Sequence, residues 1–279
     1  MRTQLRLGAF GLLTVLGLKK RGFFIPYRYA DQLPGAGERP PYESFERLFA
    51  AAKPTFAGVL DSMDRNADAL AAIGQAPPPE PRWNQDWFPR LDAAAAYVLV
   101  RETRPRRIVE VGSGHSTRFM ARAIRDGGLA TQVSAIDPAP RADIEGLDAT
   151  MLRRTVQAAG LGPFEALQAG DILFIDSSHI LMPGTDVDFL FNRVLPTLPA
   201  GVLLHIHDVF LPDEYPADWD WRGYNEQLGV AALIQGGFDL IWSSHYAVTR
   251  MADQVAASAA GRLELKTGAR EASLWLVKA

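Results

Sequence analysis

From Arg107 onward the sequence alternates short apolar runs with segments of helical periodicity, and this alternation limits the possible folds more than any other feature. The apolar runs cover residues 108–111, 133–136, 152–156, 172–175 and 202–206, and helical spacing follows at 115–125, 188–195 and 224–234. Strands that alternate with helices pair in parallel through right-handed crossovers, and the helices cover both faces of the sheet. The pattern therefore predicts an α/β fold with a mostly parallel sheet.

The last two apolar runs differ from the others. Residues 238–248 and 272–277 follow one another without a segment that reads as a helical crossover. Two such runs predict an antiparallel hairpin at the edge of the otherwise parallel sheet.

The first third of the chain has a different organisation. Proline-rich stretches at 33–41 and 76–81 read as extended connections, and between them residues 42–73 carry apolar side chains at helical spacing. A further alanine-rich helix is expected over 91–101. We predict a helical N-terminal appendage at 1–84 and one α/β domain at 85–279.

The first thirty residues are strongly basic. They contain six Lys or Arg and no acidic residue, which leaves 23 basic and 32 acidic residues in the remainder. The apolar run at 7–18 is too short to cross a bilayer of about 30 Å, and Lys19, Lys20 and Arg21 stand where a signal peptide would have its cleavage site. We expect peripheral membrane contact through residues 1–30, or a helix docked on the protein itself. The expected location is cytoplasmic, at the inner face of the membrane.

Composition excludes several other classes of protein. The chain has no cysteine, so disulfides, thiolate metal sites and cysteine nucleophiles are ruled out. Its net charge of −3 argues against a nucleic-acid-binding protein with a broad basic face.

The first predicted strand ends in a glycine-rich turn. Gly112 and Gly114 follow it directly, and Asp137 ends the next strand, 25 residues beyond Gly112. Glycines allow a ligand close to the backbone, and a helix that starts at such a turn offers free N–H groups. A carboxylate at the second strand end can accept hydrogen bonds from two ribose hydroxyls. These features predict a site for an adenosine cofactor.

Residues 108–117, IVEVGSGHST, together with 135–138, AIDP, resemble the first two motifs of class I S-adenosylmethionine-dependent methyltransferases. Residues 171–179, DILFIDSSH, and 201–208, GVLLHIHD, continue the likeness toward a bacterial family of small-molecule and sugar O-methyltransferases. The resemblance covers about residues 85–279. It implies a Rossmann-like, doubly wound, seven-stranded sheet whose last strand is antiparallel. It further implies the cofactor S-adenosylmethionine, with these roles: Gly112 and Gly114 along the methionine part, Ser116 near its carboxylate, Glu110 near its amino group and Asp137 on the ribose.

The same resemblance implies a second group of site residues. In the metal-dependent members, acidic or amide side chains at the fourth and fifth strand ends hold a divalent cation, and Asp176, His207 and Asp208 match those positions. A histidine ligand suits a transition metal better than magnesium, so the identity of the metal stays open. His179 corresponds by spacing to the general base, since a histidine accepts a proton at neutral pH. With no metal, these residues would serve as loop caps and hydrogen-bonding partners.

A long aromatic segment follows the fifth predicted strand. Its rings could stack on an acceptor or pack against the core, and one tryptophan before the α/β domain could close the same cleft; these candidates are Trp87, Tyr215, Trp219, Trp221 and Tyr224. We predict an enzyme that methylates an oxygen of a small-molecule, glycan or glycolipid acceptor. The alternatives are an NAD(P)-dependent oxidoreductase and a cofactor-binding protein without turnover.

Overall fold

The computed structural model describes residues 2–74 and 76–279. Met1 and Gln75, both within the predicted appendage 1–84, lie outside the described residues. Within these residues the chain divides into two compact units. The larger comprises residues 41–74, 76–213 and 224–279, and the smaller comprises residues 2–40 and 214–223.

The larger unit is built on a seven-stranded sheet. Its strands are β1 (Arg107–Val111), β2 (Gln132–Ile136), β3 (Thr150–Leu152), β4 (Ile172–Ile175), β5 (Leu203–Ile206), β6 (Phe238–Ser243) and β7 (Leu274–Lys278), in the order β3-β2-β1-β4-β5-β7-β6. Strands β1 to β5 pair in parallel, whereas β7 pairs antiparallel with both β5 and β6. The predicted doubly wound sheet with an antiparallel last strand is confirmed.

Helices surround this sheet. They are α2 (Glu43–Ala51), α3 (Lys53–Arg65), α4 (Ala67–Ala71), α5 (Arg90–Thr103), α6 (His115–Asp126), α7 (Val156–Ala159), α8 (Asp186–Phe189), α9 (Glu226–Leu233), α10 (Ser244–Arg250) and α11 (Ala252–Ala257), with α1 (Arg2–Val15) in the smaller unit. Strands β4 and β5 are buried along their whole length, as expected for central strands covered on both faces. Helices α2 to α4 belong to the larger unit, and the predicted boundary at 84/85 stays a prediction.

Two predicted strands end differently in the structure. The third is shifted, because β3 covers Thr150–Leu152 and Thr155 caps α7 by accepting a hydrogen bond from the Ala158 N–H. The predicted run 238–248 stops at Ser243, whose hydroxyl accepts from the Tyr246 N–H and starts α10. The expected hairpin was wrong in its connection, since two helices separate β6 from β7. The antiparallel pairing itself is present.

In the smaller unit, α1 is followed by a segment without regular structure that leads to a short 3-10 turn at Ala30–Gln32. Arg39 forms ion pairs with Glu214 at 3.7 Å and with Asp220 at 3.9 Å. No helix among the described residues is both long and apolar enough to span a membrane.

Candidate active site

The turn after β1 is fixed by its contact with the end of β4. Gly112 has φ +85°, and a Cβ at this position would lie 1.8 Å from the carbonyl oxygen of Asp176. Gly114 is different, since its φ of 166° is extended. Glycine is therefore needed at position 112 because the ends of β1 and β4 approach too closely for a side chain.

Asp137 holds this turn from the end of β2. Its Oδ2 accepts hydrogen bonds from the Ser113 N–H at 2.9 Å and from the Ser113 hydroxyl at 3.0 Å, and its Oδ1 accepts from the Ala139 N–H at 2.8 Å. The residue is half-buried. A carboxylate has about four acceptor positions, so one position is left for a ligand hydroxyl.

Glu110 is fully buried beneath the same turn. It accepts hydrogen bonds from the hydroxyls of Ser116 at 2.5 Å and Thr117 at 2.6 Å. Burial raises the pKa of Glu110 to about 8, against the opposing effect of these two hydrogen bonds. The structure thus brings together the five predicted cofactor residues around the β1 turn.

The ends of β4 and β5 bring a second group together. His179 Nε2 lies 3.5 Å from Asp176 Oδ1 and 3.5 Å from Asp208 Oδ2. His207 Nδ1 lies 3.6 Å from Asp176 Oδ1 and 3.5 Å from Asp208 Oδ1. Two imidazole nitrogens therefore face the same two carboxylates, and we call these four residues the strand-end cluster.

Two buried acids support this cluster from behind, and the sequence analysis did not single out either. Glu226 Oε2 accepts from His179 Nδ1 at 2.9 Å, and Asp92 Oδ2 lies 3.2 Å from His207 Nε2. Both acids are at most 1% exposed. Glu226 begins α9 and Asp92 lies in the first turn of α5, so no local motif connects them to the strand ends. Together they direct the other nitrogen of each imidazole toward Asp176 and Asp208.

Charge is concentrated in the strand-end cluster. Burial alone would raise the pKa of Asp176, but the neighbouring His207 and His179 lower it well below its ordinary value. Burial opposes protonation of His179, yet its hydrogen bonds to Asp176 and Glu226 and the charge of Asp208 raise its pKa above the usual 6.5. His207 is shifted in the same direction by Asp176 and Asp208, against its burial.

The residues before α9 hold His179 in a constrained conformation. His179 has φ +60°, its carbonyl oxygen accepts from the N–H groups of Asn225 and Glu226, and the Tyr224 ring lies 4.6 Å from its ring. A histidine in the left-handed region is uncommon, and such strain often occurs at functional sites. Of the predicted acceptor residues, Tyr224 is thus placed beside His179.

The other predicted acceptor residues have different surroundings. Trp87 is 56% exposed, with the Arg141 guanidinium over its ring, and the adjacent Phe88 ring lies 5.5 Å from that of His207. The remaining three, Tyr215, Trp219 and Trp221, belong to the smaller unit. In that unit the Arg222 guanidinium lies 4.2 Å from the Trp219 ring centroid.

The donor set of the strand-end cluster suits a divalent cation that accepts both nitrogen and oxygen ligands. Each imidazole is also held by a buried carboxylate at its far nitrogen, as ligating histidines usually are. As placed, no group of three or more His, Asp or Glu side chains in residues 2–74 and 76–279 forms a metal site. The imidazole nitrogens and carboxylate oxygens of the cluster are suitable ligands for a divalent cation, but these side chains would have to move to bind one.

Comparison with known proteins finds a family match over the residues that form the β1 turn and the strand-end cluster. The sequence model of a family described as "Methyltransferase domain" matches residues 109–209. Residues 109–209 are thus similar to a methyltransferase domain. The match begins within β1 and ends just after Asp208, so it includes the β1 turn and the whole strand-end cluster. The predicted resemblance to methyltransferases is confirmed.

Several solved structures are similar to this chain at low sequence identity. An O-methyltransferase from Bacillus cereus in complex with SAH has 13% identity and a TM-score of 0.40, covering 80% of this chain and 91% of that one. The O-methyltransferase TomG from Streptomyces achromogenes, involved in tomaymycin synthesis and in complex with SAM, has 14% identity and a TM-score of 0.42, covering 86% and 100%. A cmcI structure described as containing Mg and SAM has 20% identity and a TM-score of 0.36, covering 66% and 69%. No protein with a curated description matches the sequence. The likeness to methyltransferases therefore rests on the family match over residues 109–209.

Proposed function

We propose that the protein transfers a methyl group from S-adenosylmethionine to an oxygen atom of a hydroxylated small molecule, glycan or glycolipid. The observation that carries this proposal is the methyltransferase match over residues 109–209, which contains both the glycine turn with Asp137 and the strand-end cluster. The cofactor would lie over the β1 and β2 ends, with Asp137 on its ribose and Glu110 and Ser116 toward its amino and carboxylate groups. The acceptor would lie over the β4 and β5 ends.

The chemistry requires alignment and the removal of one proton. An acceptor oxygen attacks the methyl carbon, an O–C bond forms as the S–C bond breaks, and the sulfonium becomes a neutral thioether. The enzyme mainly aligns the oxygen, methyl carbon and sulfur. The acceptor hydroxyl also loses a proton, and in this proposal His179 takes it.

The surroundings of His179 determine which nitrogen acts. Its Nδ1 is occupied by Glu226, so the proton passes to Nε2, the atom that faces Asp176 and Asp208. The same carboxylates raise the pKa of His179 and so favour its protonated form before the acceptor binds. A divalent cation held by Asp176, His207 and Asp208 would offset this negative charge and stabilise the developing alkoxide.

Transfer of a labelled methyl group tests the proposal. The purified chain, supplied with methyl-labelled S-adenosylmethionine and a panel of catechols, sugars and glycolipids, should label at least one hydroxylated acceptor. Exhaustive chelation should abolish the transfer, and a divalent cation should restore it. Labelling confined to amines or thiols would contradict oxygen as the target atom, and full activity after chelation would remove the metal from the proposal.

The proposed location is the cytoplasm, where S-adenosylmethionine is made. Cell fractionation of the tagged full-length chain tests this part of the proposal, and secretion of the protein would contradict it.

A further inference from the structure

The segment from Leu5 to Tyr27 exposes an unusual amount of apolar surface. Most of the large apolar side chains that are exposed in the described residues fall within it, each between 40% and 71% exposed: Leu5, Leu7, Leu12, Val15, Leu16, Leu18, Phe23, Phe24, Ile25 and Tyr27. We call this segment the N-terminal surface. Soluble proteins seldom leave so many large apolar side chains uncovered in one segment, and a large exposed apolar patch marks a binding site.

The cations of this surface have no acidic residue among their neighbours in the sequence. Residues 1–30 contain no Asp or Glu. Instead, cations are placed over aromatic rings: Arg6 and Arg21 at 5.2 and 5.3 Å from the centroid of Phe10, and Lys20 at 4.9 Å from that of Phe23. Basic and aromatic groups are therefore presented side by side with their positive charge free to attract an anionic partner.

The length of the helix excludes a membrane span and favours an interfacial position. Helix α1 has 14 residues, which at 1.5 Å per residue is about 21 Å, whereas the hydrocarbon core is about 30 Å thick. Helices of this kind lie in the plane of the headgroups, with apolar side chains toward the acyl chains and basic ones toward anionic lipid.

We propose that the N-terminal surface binds the interface of a bilayer that contains anionic lipid. The charge distribution agrees with such a partner, because the rest of the chain has nine more acidic than basic residues and would be repelled by the same membrane. Attraction must then come from residues 1–30. Apolar contact contributes a component of the binding free energy that does not depend on salt. The electrostatic attraction falls off within about 8 Å at physiological ionic strength. The N-terminal surface contains none of the residues of the proposed catalytic site, and its binding to a membrane does not depend on the reaction.

Sedimentation of the full-length chain with vesicles tests the charge requirement. The intact protein should sediment with phosphatidylcholine vesicles containing phosphatidylglycerol, and less with pure phosphatidylcholine or at high salt. Replacing Lys19, Lys20 and Arg21 together by Gln should weaken binding by about a hundredfold, since each cation near an anionic surface contributes about 1 kcal/mol and 1.4 kcal/mol corresponds to a factor of ten. The matched control replaces Arg153, Arg154 and Arg193, three exposed arginines of the larger unit, by Gln, and should bind like wild type.

A second pair of variants tests the apolar requirement. Leu18→Ser, Phe24→Ser and Ile25→Ser together should remove the binding that survives at high salt, whereas Leu161→Ser, Leu228→Ser and Leu265→Ser, at exposed sites elsewhere, should not. Equal binding to neutral and anionic vesicles would overturn the proposal. It would also be overturned if the control triple weakened binding as much, or if the intact chain stayed in solution or formed dimers through this surface without vesicles. Cofactor affinity, measured on the same variants, should be unchanged.

Discussion

Among single residues, His179 is held by contacts to both its ring and its backbone. Glu226 fixes its Nδ1, Tyr224 lies on its ring, and two backbone N–H groups bind its carbonyl oxygen. These contacts explain how a loop histidine can be held in a left-handed conformation. Two functions can therefore be distinguished by mutation. In the proposed mechanism His179 accepts the proton, and Glu226 orients the His179 ring.

We predict that His179→Ala lowers turnover by about a hundredfold or more, because general base catalysis commonly contributes that much, and leaves cofactor affinity nearly unchanged. Glu226→Gln should lower kcat less, because Gln still fills the space and offers an oxygen to Nδ1–H. Steady-state kinetics and cofactor titration of both variants check this. Near-normal turnover in His179→Ala would show that the histidine is only a structural loop residue.

Glu110 gives a prediction about stability and pH. Its pKa is raised to about 8 in the folded protein from an ordinary value near 4.5, so the folded chain keeps a proton that the unfolded chain loses. The stabilising contribution is complete below about pH 4.5 and is lost as the pH rises to about 8. Without cofactor, the free energy of unfolding should fall over this range by up to about 1.4 kcal/mol per pH unit from this group alone.

The Glu110→Gln variant removes that titration. Denaturant unfolding at several pH values between 5 and 8 should show a shallower decline for the variant than for wild type, whatever the difference in absolute stability. Parallel declines would mean that Glu110 is ionised in the folded protein throughout this range.

At the scale of structural elements, the turn after β1 depends on the contact between two neighbouring strands. Gly112→Ala would place a Cβ 1.8 Å from the Asp176 carbonyl oxygen at φ +85°, so the ends of β1 and β4 would have to separate. Gly128→Ala is the matched control, because Gly128 also has a positive φ but has no atom within 4 Å of the added Cβ.

The free energy of unfolding of the control should fall by about 1–2 kcal/mol because of the left-handed conformation alone. That of Gly112→Ala should fall by about 1–3 kcal/mol more because of the clash. Denaturant unfolding measures both, and cofactor titration should show weaker binding only for Gly112→Ala. Equal losses in the two variants would contradict a special role for the strand contact.

The elements also show what the sequence could predict. The β1, β2, β4 and β5 strands and α6 were predicted within one or two residues, because buried parallel strands are short apolar runs that end at glycine or polar residues. The end of β6 was missed because residues 244–248 are apolar enough for a strand, and the cap by Ser243 was not recognised. Asp92 and Glu226 were missed because they meet the histidines only through the tertiary fold, about 115 and 47 residues away in the chain.

At the scale of the whole molecule, the two groups of polar residues occupy neighbouring carboxyl ends of one parallel sheet. The order β3-β2-β1-β4-β5 places the first strand beside the fourth, and ligands of open α/β sheets bind at this point, where the strand order reverses. Gly112 and Asp137 lie on one side of it, and Asp176 and Asp208 on the other. One sheet edge can therefore hold a cofactor and an acceptor next to each other.

Calorimetric titration of the purified chain with S-adenosylmethionine, S-adenosylhomocysteine and NAD distinguishes a methyltransferase cofactor site from a dinucleotide site. We predict binding of both sulfur compounds and none of NAD. Asp137→Ala should weaken S-adenosylmethionine binding by about 1.5–3 kcal/mol, the usual loss for hydrogen bonds to a charged group. Binding of NAD without either sulfur compound, or unchanged S-adenosylmethionine affinity in a folded Asp137→Ala variant, would contradict the account.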